Sequence, residues 1–156
     1  MKELVLILHN IRSAHNVGSA FRTADAAGVN HIYLTGYTPR PTDRFGRIQK
    51  NITKTALGAE QHIPWEGGEV TKLIQDLRHE GFSIVSVEQD ARAIALSNYN
   101  PAEKVALIFG NEVRGVSKQL RDKSDGIVEI PMHGAKESLN VSVAIGVVLF
   151  GLRASR

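Results

Sequence analysis

The chain reads as an α/β protein, a mostly parallel sheet flanked by helices, and three observations predict this. Short hydrophobic runs alternate with helical patterns along the whole length. Glycines fall where helices end. Polar, glycine-containing loops follow the carboxyl ends of three strand candidates, the edge where open α/β sheets hold ligands. The first strand candidate is Leu4–Leu8. A helix follows from about Val17 to Ala27, with Asn16 placed to cap it and Gly28 at its left-handed end. Ile32–Leu34 is the second strand, and a helix from about Val70 to Glu80 stops at Gly81. Phe82–Val87 and Val105–Phe109 read as buried strands, with a short helix near Ser117–Lys123 after them. The strand Gly126–Ile130 ends because Pro131 cannot donate to a ladder. From Leu139 onward two readings stay open. Val141 to Val147 alternates with strand-like period two, whereas a length of more than a dozen residues favours a helix. A helix there is apolar almost all round and needs cover on several sides.

Composition narrows the function classes. With 156 residues, 42% hydrophobic and 22% charged, the chain reads as one domain, residues 1–156, with a full core. No apolar stretch reaches the ~18 residues of a membrane span. Leu4–Leu8 is too short for a secretory signal, and Glu3 precedes it. Absence of cysteine removes disulfides, thiolate catalysis and cysteine metal sites, and fits a cytoplasmic protein. The six histidines show no ligand spacing, so no metal is expected. A net charge of +3 is compatible with nucleic acid without establishing it.

The chemistry concentrates in three loops. After the first strand comes Asn16-Val-Gly-Ser-Ala-Phe-Arg22-Thr-Ala, in which Gly18 lets a ligand or a second backbone come close. Arg22 lies among Ala20, Phe21, Ala24 and Ala26; it is either a salt-bridged packing residue or a functional one. The second loop is Ile108-Phe-Gly110-Asn-Glu112-Val-Arg-Gly. It is no Walker A, and no dinucleotide fingerprint occurs in the chain. The third is Ile130-Pro-Met-His-Gly-Ala-Lys-Glu-Ser138-Leu139-Asn140-Val-Ser.

Together these resemble, in order and spacing, the three motifs of the SpoU/TrmH branch of the SPOUT RNA methyltransferases. The resemblance spans nearly the whole chain. It implies a sheet whose C-terminal part is tied in a deep trefoil knot, an exception to the rule against knots. It also implies S-adenosyl-L-methionine as cofactor, a homodimer, and methylation of ribose 2′-hydroxyls in tRNA or rRNA. By resemblance, Val87, Gly110, Ile130, Ser138 and Leu139 line the cofactor pocket, and Asn16, Arg22, Glu112, Ser138 and Asn140 hold the catalytic positions. A ribose hydroxyl must lose its proton as it attacks the methyl group. Family proposals give that task to the Arg22 position, with an RNA phosphate assisting. A guanidinium normally keeps its proton, so Arg22 is read as orienting the hydroxyl and a phosphate. Glu112 and Asn16 then position Arg22 and the substrate, while Ser138 and Asn140 fix the cofactor-side loop.

From Arg40 to Lys54 run five cations, Arg40, Arg44, Arg47, Lys50 and Lys54, against the single acid Asp43. The bland reading is a solvated loop; clustered cations also suit RNA phosphates. Phe45 and Tyr37 are the nearby aromatics for base stacking. Relatives often carry an added RNA-binding region. None is recognised here, and the expectation is a minimal catalytic core acting on tRNA more than rRNA. A non-catalytic RNA-binding or assembly protein is the alternative, opposed by the presence of Arg22, Glu112, Ser138 and Asn140 together. The apolar terminal helix points to a homodimer in which it pairs with the partner's first-motif helix.

Overall fold

The computed structural model describes residues 1–154. Strand β1 (Glu3–His9) leads to helix α1 (Ala14–Ala26), β2 (His31–Thr35), and two short helices, α2 (Lys50–Ala56) and α3 (Ala59–His62). Strand β3 (Trp65–Gly68), α4 (Val70–His79), β4 (Ser83–Val87) and the two-residue β5 (Ile94–Ala95) follow. The chain closes with β6 (Lys104–Phe109), α5 (Lys118–Lys123), β7 (Gly126–Glu129) and α6 (Val141–Ala154). All pairings are parallel, in one seven-stranded sheet of order β3-β2-β1-β6-β4-β7-β5. The expected class is therefore present.

Alternation along the central strands sorts the core into two layers, because successive side chains point to opposite faces. Leu4, Leu6 and Leu8, with Val105, Leu107 and Phe109, pack under Phe21, Ala24, Ile52 and Val148. Val5 and Ile7, with Ala106 and Ile108, pack against Ile74, Leu77 and Leu120 of α4 and α5. Strands covered on both faces lack polar alternation, which is why they stand out as unbroken apolar runs. Gly28 and Gly81 end α1 and α4 with φ of 69° and 89°, as read from the sequence.

Several expectations need correction. Helix α1 begins three residues early, and its cap is Ser13, whose hydroxyl accepts from the Asn16 N–H at 3.2 Å. Asn16 is inside the first turn. The presumed loop from Arg40 to Lys54 turns helical at Lys50, and α2, α3, β3 and β5 have no counterpart in the sequence reading. The terminal segment is a helix. It packs on α1 of the same chain, and Arg153 donates to the carbonyls of Ala27 and Gly28 at 2.9 and 2.7 Å. Ala20, Phe21 and Ala24 are buried within the chain among α2, α6 and the sheet. What α6 leaves open is one stripe, Val143, Val147 and Phe150, each 40–50% exposed. Among the described residues no helix is long and apolar enough to cross a membrane.

Gly18 admits a second backbone, that of α2. A Cβ there would come to 1.9 Å from Thr55 Oγ1 and 2.3 Å from the Ile52 carbonyl oxygen. Alanine normally gains up to ~1 kcal/mol over glycine inside a helix. Overpacking against a backbone atom costs ~1–3 kcal/mol and wins. Gly18→Ala should therefore lower stability by about 1–2 kcal/mol in urea titration, while an unchanged or raised midpoint would show that α2 yields freely.

Candidate active site at the carboxyl edge of the sheet

Because the sheet is parallel, the loops after β1, β2, β4, β6 and β7 all gather at one edge. Four side-chain devices stitch them together. The Glu112 carboxylate accepts from the N–H groups of Arg12 and Ser13, both at 2.8 Å, and from the Asn16 amide at 3.2 Å. It thereby joins the loop after β6 to the start of α1. The Asn111 amide donates to the Asn10 carbonyl at 3.1 Å and the Tyr37 hydroxyl at 3.0 Å. The Glu88 carboxylate, just past β4, accepts from the Val116 N–H at 3.0 Å. The Gln89 amide donates to the carbonyl of Glu137, holding the loop that follows β7.

Two glycines make the middle loop possible. Gly110 lies so close to the returning chain that a Cβ would sit 2.3 Å from the Gly115 carbonyl oxygen. Gly115 has φ of 65°, and a Cβ there would meet Glu88 Oε2 at 1.9 Å. The Gly-Asn-Glu-Val-Arg-Gly spacing is thus a steric requirement of the fold of this loop.

The loops after β4, β6 and β7 enclose a cleft. Val87, Gly110, Ile130, Ser138 and Leu139, the five residues expected around a cofactor, all line it. Phe109, Met132, Val141 and Ala144 add apolar wall, and Glu88, Glu112 and Glu129 add carboxylates, against Arg114 as the cationic lining residue. Such a lining suits a ligand with flat apolar parts and positive charge, and one arginine among three carboxylates suits a phosphate poorly. Among the described residues no group of acids and histidines is placed to hold a metal ion.

The expected catalytic set is only partly assembled. Ser138 and Glu112 face the cleft. Asn140 caps α6 instead, its Oδ1 accepting from the N–H and hydroxyl of Ser142 at 2.9 and 2.6 Å. Arg22 sits in a separate depression with Ser19, Lys54, Leu57 and Phe150. It is exposed, and no ion pair or hydrogen bond involves it among the described residues, so the salt-bridged packing reading fails. Glu112 and Asn16 contact each other and not Arg22 within one chain, contrary to expectation. The expected RNA contacts also divide. Arg44 and Arg47 flank the Phe45 ring, with Cζ at 4.7 and 5.1 Å from its centroid. Lys50 is exposed at the start of α2. The Arg40 guanidinium lies across Gly67 at the β3 edge, where a Cβ would meet its Cζ at 2.1 Å. Sequence reasoning gave no role to Asn111, although it stands inside the second motif, and missed Glu88 and Gln89, which act on backbone groups and leave no motif of their own.

A family model described as the SpoU rRNA Methylase family matches residues 3–150, and the chain belongs to that family. A 23S rRNA (guanosine-2′-O-)-methyltransferase RlmB of Xanthomonas axonopodis pv. citri is 35% identical over 150 residues, covering 96% of this chain and 57% of the relative. The Neisseria meningitidis serogroup B protein of the same name is 32% identical over 154 residues, covering 98% and 59%. The chain thus spans a little over half the length of these curated relatives. An AdoMet-bound rRNA methyltransferase from Sinorhizobium meliloti superposes with a TM-score of 0.88 at 28% identity, covering 97% of this chain and 56% of that one. A structure described as giving insights into the 2-OH methylation of C/U34 on tRNA superposes at 0.79 with 25% identity, covering 97% and 95%.

Burial pushes the Glu112 carboxyl up, but the N–H groups of Arg12 and Ser13 and the Asn16 amide outweigh it, leaving the group below its ordinary range. A carboxyl whose folded pKa is depressed stabilises the fold above the unfolded value of ~4.3 and loses that effect as pH falls through the folded pKa. Glu112→Ala should cost about 1 kcal/mol at pH 7, in the range of a lost helix cap. The gap to wild type should narrow as the pH falls below the ordinary carboxylate range, and a gap that stays constant in thermal melts down through acid pH would contradict an ionised clamp.

Proposed function

We propose that the chain is an S-adenosyl-L-methionine-dependent methyltransferase acting on a ribose 2′-hydroxyl of structured RNA. The observation that carries this is the cleft at the carboxyl edge that Val87, Gly110, Ile130, Ser138 and Leu139 line together, in a chain of this family. The AdoMet bound in the Sinorhizobium meliloti structure supports the choice of cofactor. Its contribution is a methyl group on a positively charged sulfur, open to in-line attack.

The protein's share is positioning. Backbone groups of Gly110, Ser138 and Leu139 hold the cofactor, with Phe109, Ile130 and Val141 excluding water. Ser138 fixes the loop after β7. Glu112 and Asn16 keep the 110–115 loop against α1. Arg22 orients the ribose hydroxyl and an adjoining RNA phosphate, and the hydroxyl's proton leaves to that phosphate or to solvent as the oxygen takes the methyl group. Within one chain its depression is separate from the cleft. We therefore include a homodimer in the proposal. The exposed stripe of Val143, Val147 and Phe150 adjoins Arg22 through Phe150, and covering it would bring Arg22 to the partner's cleft. Support for the trefoil knot is the close superposition on solved SpoU relatives and a strand order in which β7 crosses beyond β4 before α6 returns to α1. Arg44, Arg47 and Lys50 contact the RNA, with Arg40 contributing from the sheet edge, and the cytoplasm is the expected compartment.

Two observations bear on the RNA. The curated relatives named above are 23S rRNA enzymes, which opposes the sequence-based preference for tRNA. The neighbour matched over 95% of its own length concerns tRNA position 34, which favours it. Ribose-methylation mapping of both RNA pools from cells lacking the protein decides between them. A single lost 2′-O-methyl group is expected; an unaltered methylation profile in both pools would contradict the enzyme reading.

Arg22→Ala should reduce methyl transfer by orders of magnitude while cofactor affinity changes by no more than a few fold, read by single-turnover assay and calorimetry. Full activity in that variant would remove Arg22 from the site. Replacing Arg44, Arg47 and Lys50 together by alanine should flatten the salt dependence of RNA binding by ~0.7–0.9 per lost phosphate contact. An unchanged slope would make the segment plain solvated surface. The dimer is tested at Val147 and Phe150, because Val148 is fully buried within its own subunit. A Val147→Glu chain is expected to sediment as a folded monomer without activity, and an active wild-type monomer would end the dimer proposal.

A further inference from the structure

Between β2 and α2 the chain builds a small turn that the methyl-transfer site does not use. Asp43 organises it. Its carboxylate accepts from the N–H groups of Phe45 and Arg47 at 2.8 and 3.0 Å and from Arg47 Nε at 2.7 Å. Backbone bonds Asp43 N–H to Arg47 and Gly46 N–H to Asp43 close the turn at 3.0 Å, and Thr42 bridges Ile48 beneath it. Gly46, at φ of 77°, makes the reversal. At the tip stands Phe45, 66% exposed although two guanidiniums lie within 5.1 Å of its ring centre.

A lone exposed apolar residue is ordinary and usually means nothing. This one differs in being held on an ordered turn between two cations, of which Arg47 pairs with Asp43 through Nε and Arg44 has no acidic partner among the described residues. We propose that the 43–47 turn is a stacking tip: Phe45 receives one unpaired RNA base while Arg44 and Arg47 take the flanking phosphates. The proposal rests on the RNA reading above and specifies what the tip recognises. An aromatic face is equally good for any base, and it needs a base whose own face is free, which excludes the interior of a duplex. Phosphates beside that base answer the arginines, and a turn ordered beforehand spares the entropy of fixing it on binding. An acidic peptide would satisfy the cations and leave the ring without a partner.

The test uses the full chain and two synthetic RNAs, a stem-loop and a blunt duplex of the same stem, with affinity read by fluorescence anisotropy. Phe45→Ala should weaken stem-loop binding roughly 5- to 150-fold, the span of one base–aromatic stack. It should leave duplex affinity and the salt slope unchanged, because no charge is removed. Phe45→Trp should restore affinity, and stem-loop RNA should quench its emission above the background of Trp65. Equal stem-loop affinity for wild type and Phe45→Ala overturns the stacking tip alone. Wild type that binds neither RNA overturns the RNA reading and the tip with it. A changed oligomeric state in Phe45→Ala with RNA affinity intact assigns the ring to a second copy of the chain and likewise overturns the proposal.

Discussion

Every strand of this sheet points the same way, and the rest of the architecture follows from that constraint. Parallel pairing needs crossovers, so helices cover both faces, and the carboxyl ends of all strands share one edge. Loops that must meet there carry backbone polar groups without ladder partners. The structure answers with side chains that hydrogen-bond backbone, Glu112 to Arg12 and Ser13, Glu88 to Val116, Asn111 to Asn10. The cleft is the space these bonds keep open.

This arrangement divides labour between residues that make the cleft and residues that face it. Gly110 and Gly115 are fixed by sterics alone, since a side chain at either would strike backbone or the Glu88 carboxylate. Glu112 is a tie between motifs before it is anything else. Its negative charge near the first turn of α1 also matches the helix dipole. Asn140 caps α6. Arg22 has no hydrogen bond or ion pair among the described residues, and its depression borders the apolar stripe that α6 leaves uncovered.

The sequence made the fold legible where burial leaves a strong pattern. Strands covered on two faces are unbroken apolar runs, and helix ends marked by Gly28 and Gly81 need left-handed backbone. It was silent where little is buried. Helix α2 buries only Ile52 and Ala56 and reads as a basic loop, and β3 is Trp-Glu-Gly-Gly, with no strand-like residue after Trp65. Asn16 and Ser13 are both good caps three residues apart, and the competition is settled by Glu112, about a hundred residues away. The cleft residues were legible through motif order. The stitching by Glu88 and Gln89 was not, because a side chain bonding to backbone demands no particular partner residue.

The central claim is that the cleft between the loops after β4, β6 and β7 holds S-adenosyl-L-methionine. Hydrogen–deuterium exchange of the protein with and without the cofactor tests it most directly. Slowed exchange is predicted in peptides spanning 87–89, 109–116 and 130–141, with the 40–49 segment unaffected. Protection confined to the Arg12–Tyr37 side of the edge, or none at saturating cofactor, would contradict it.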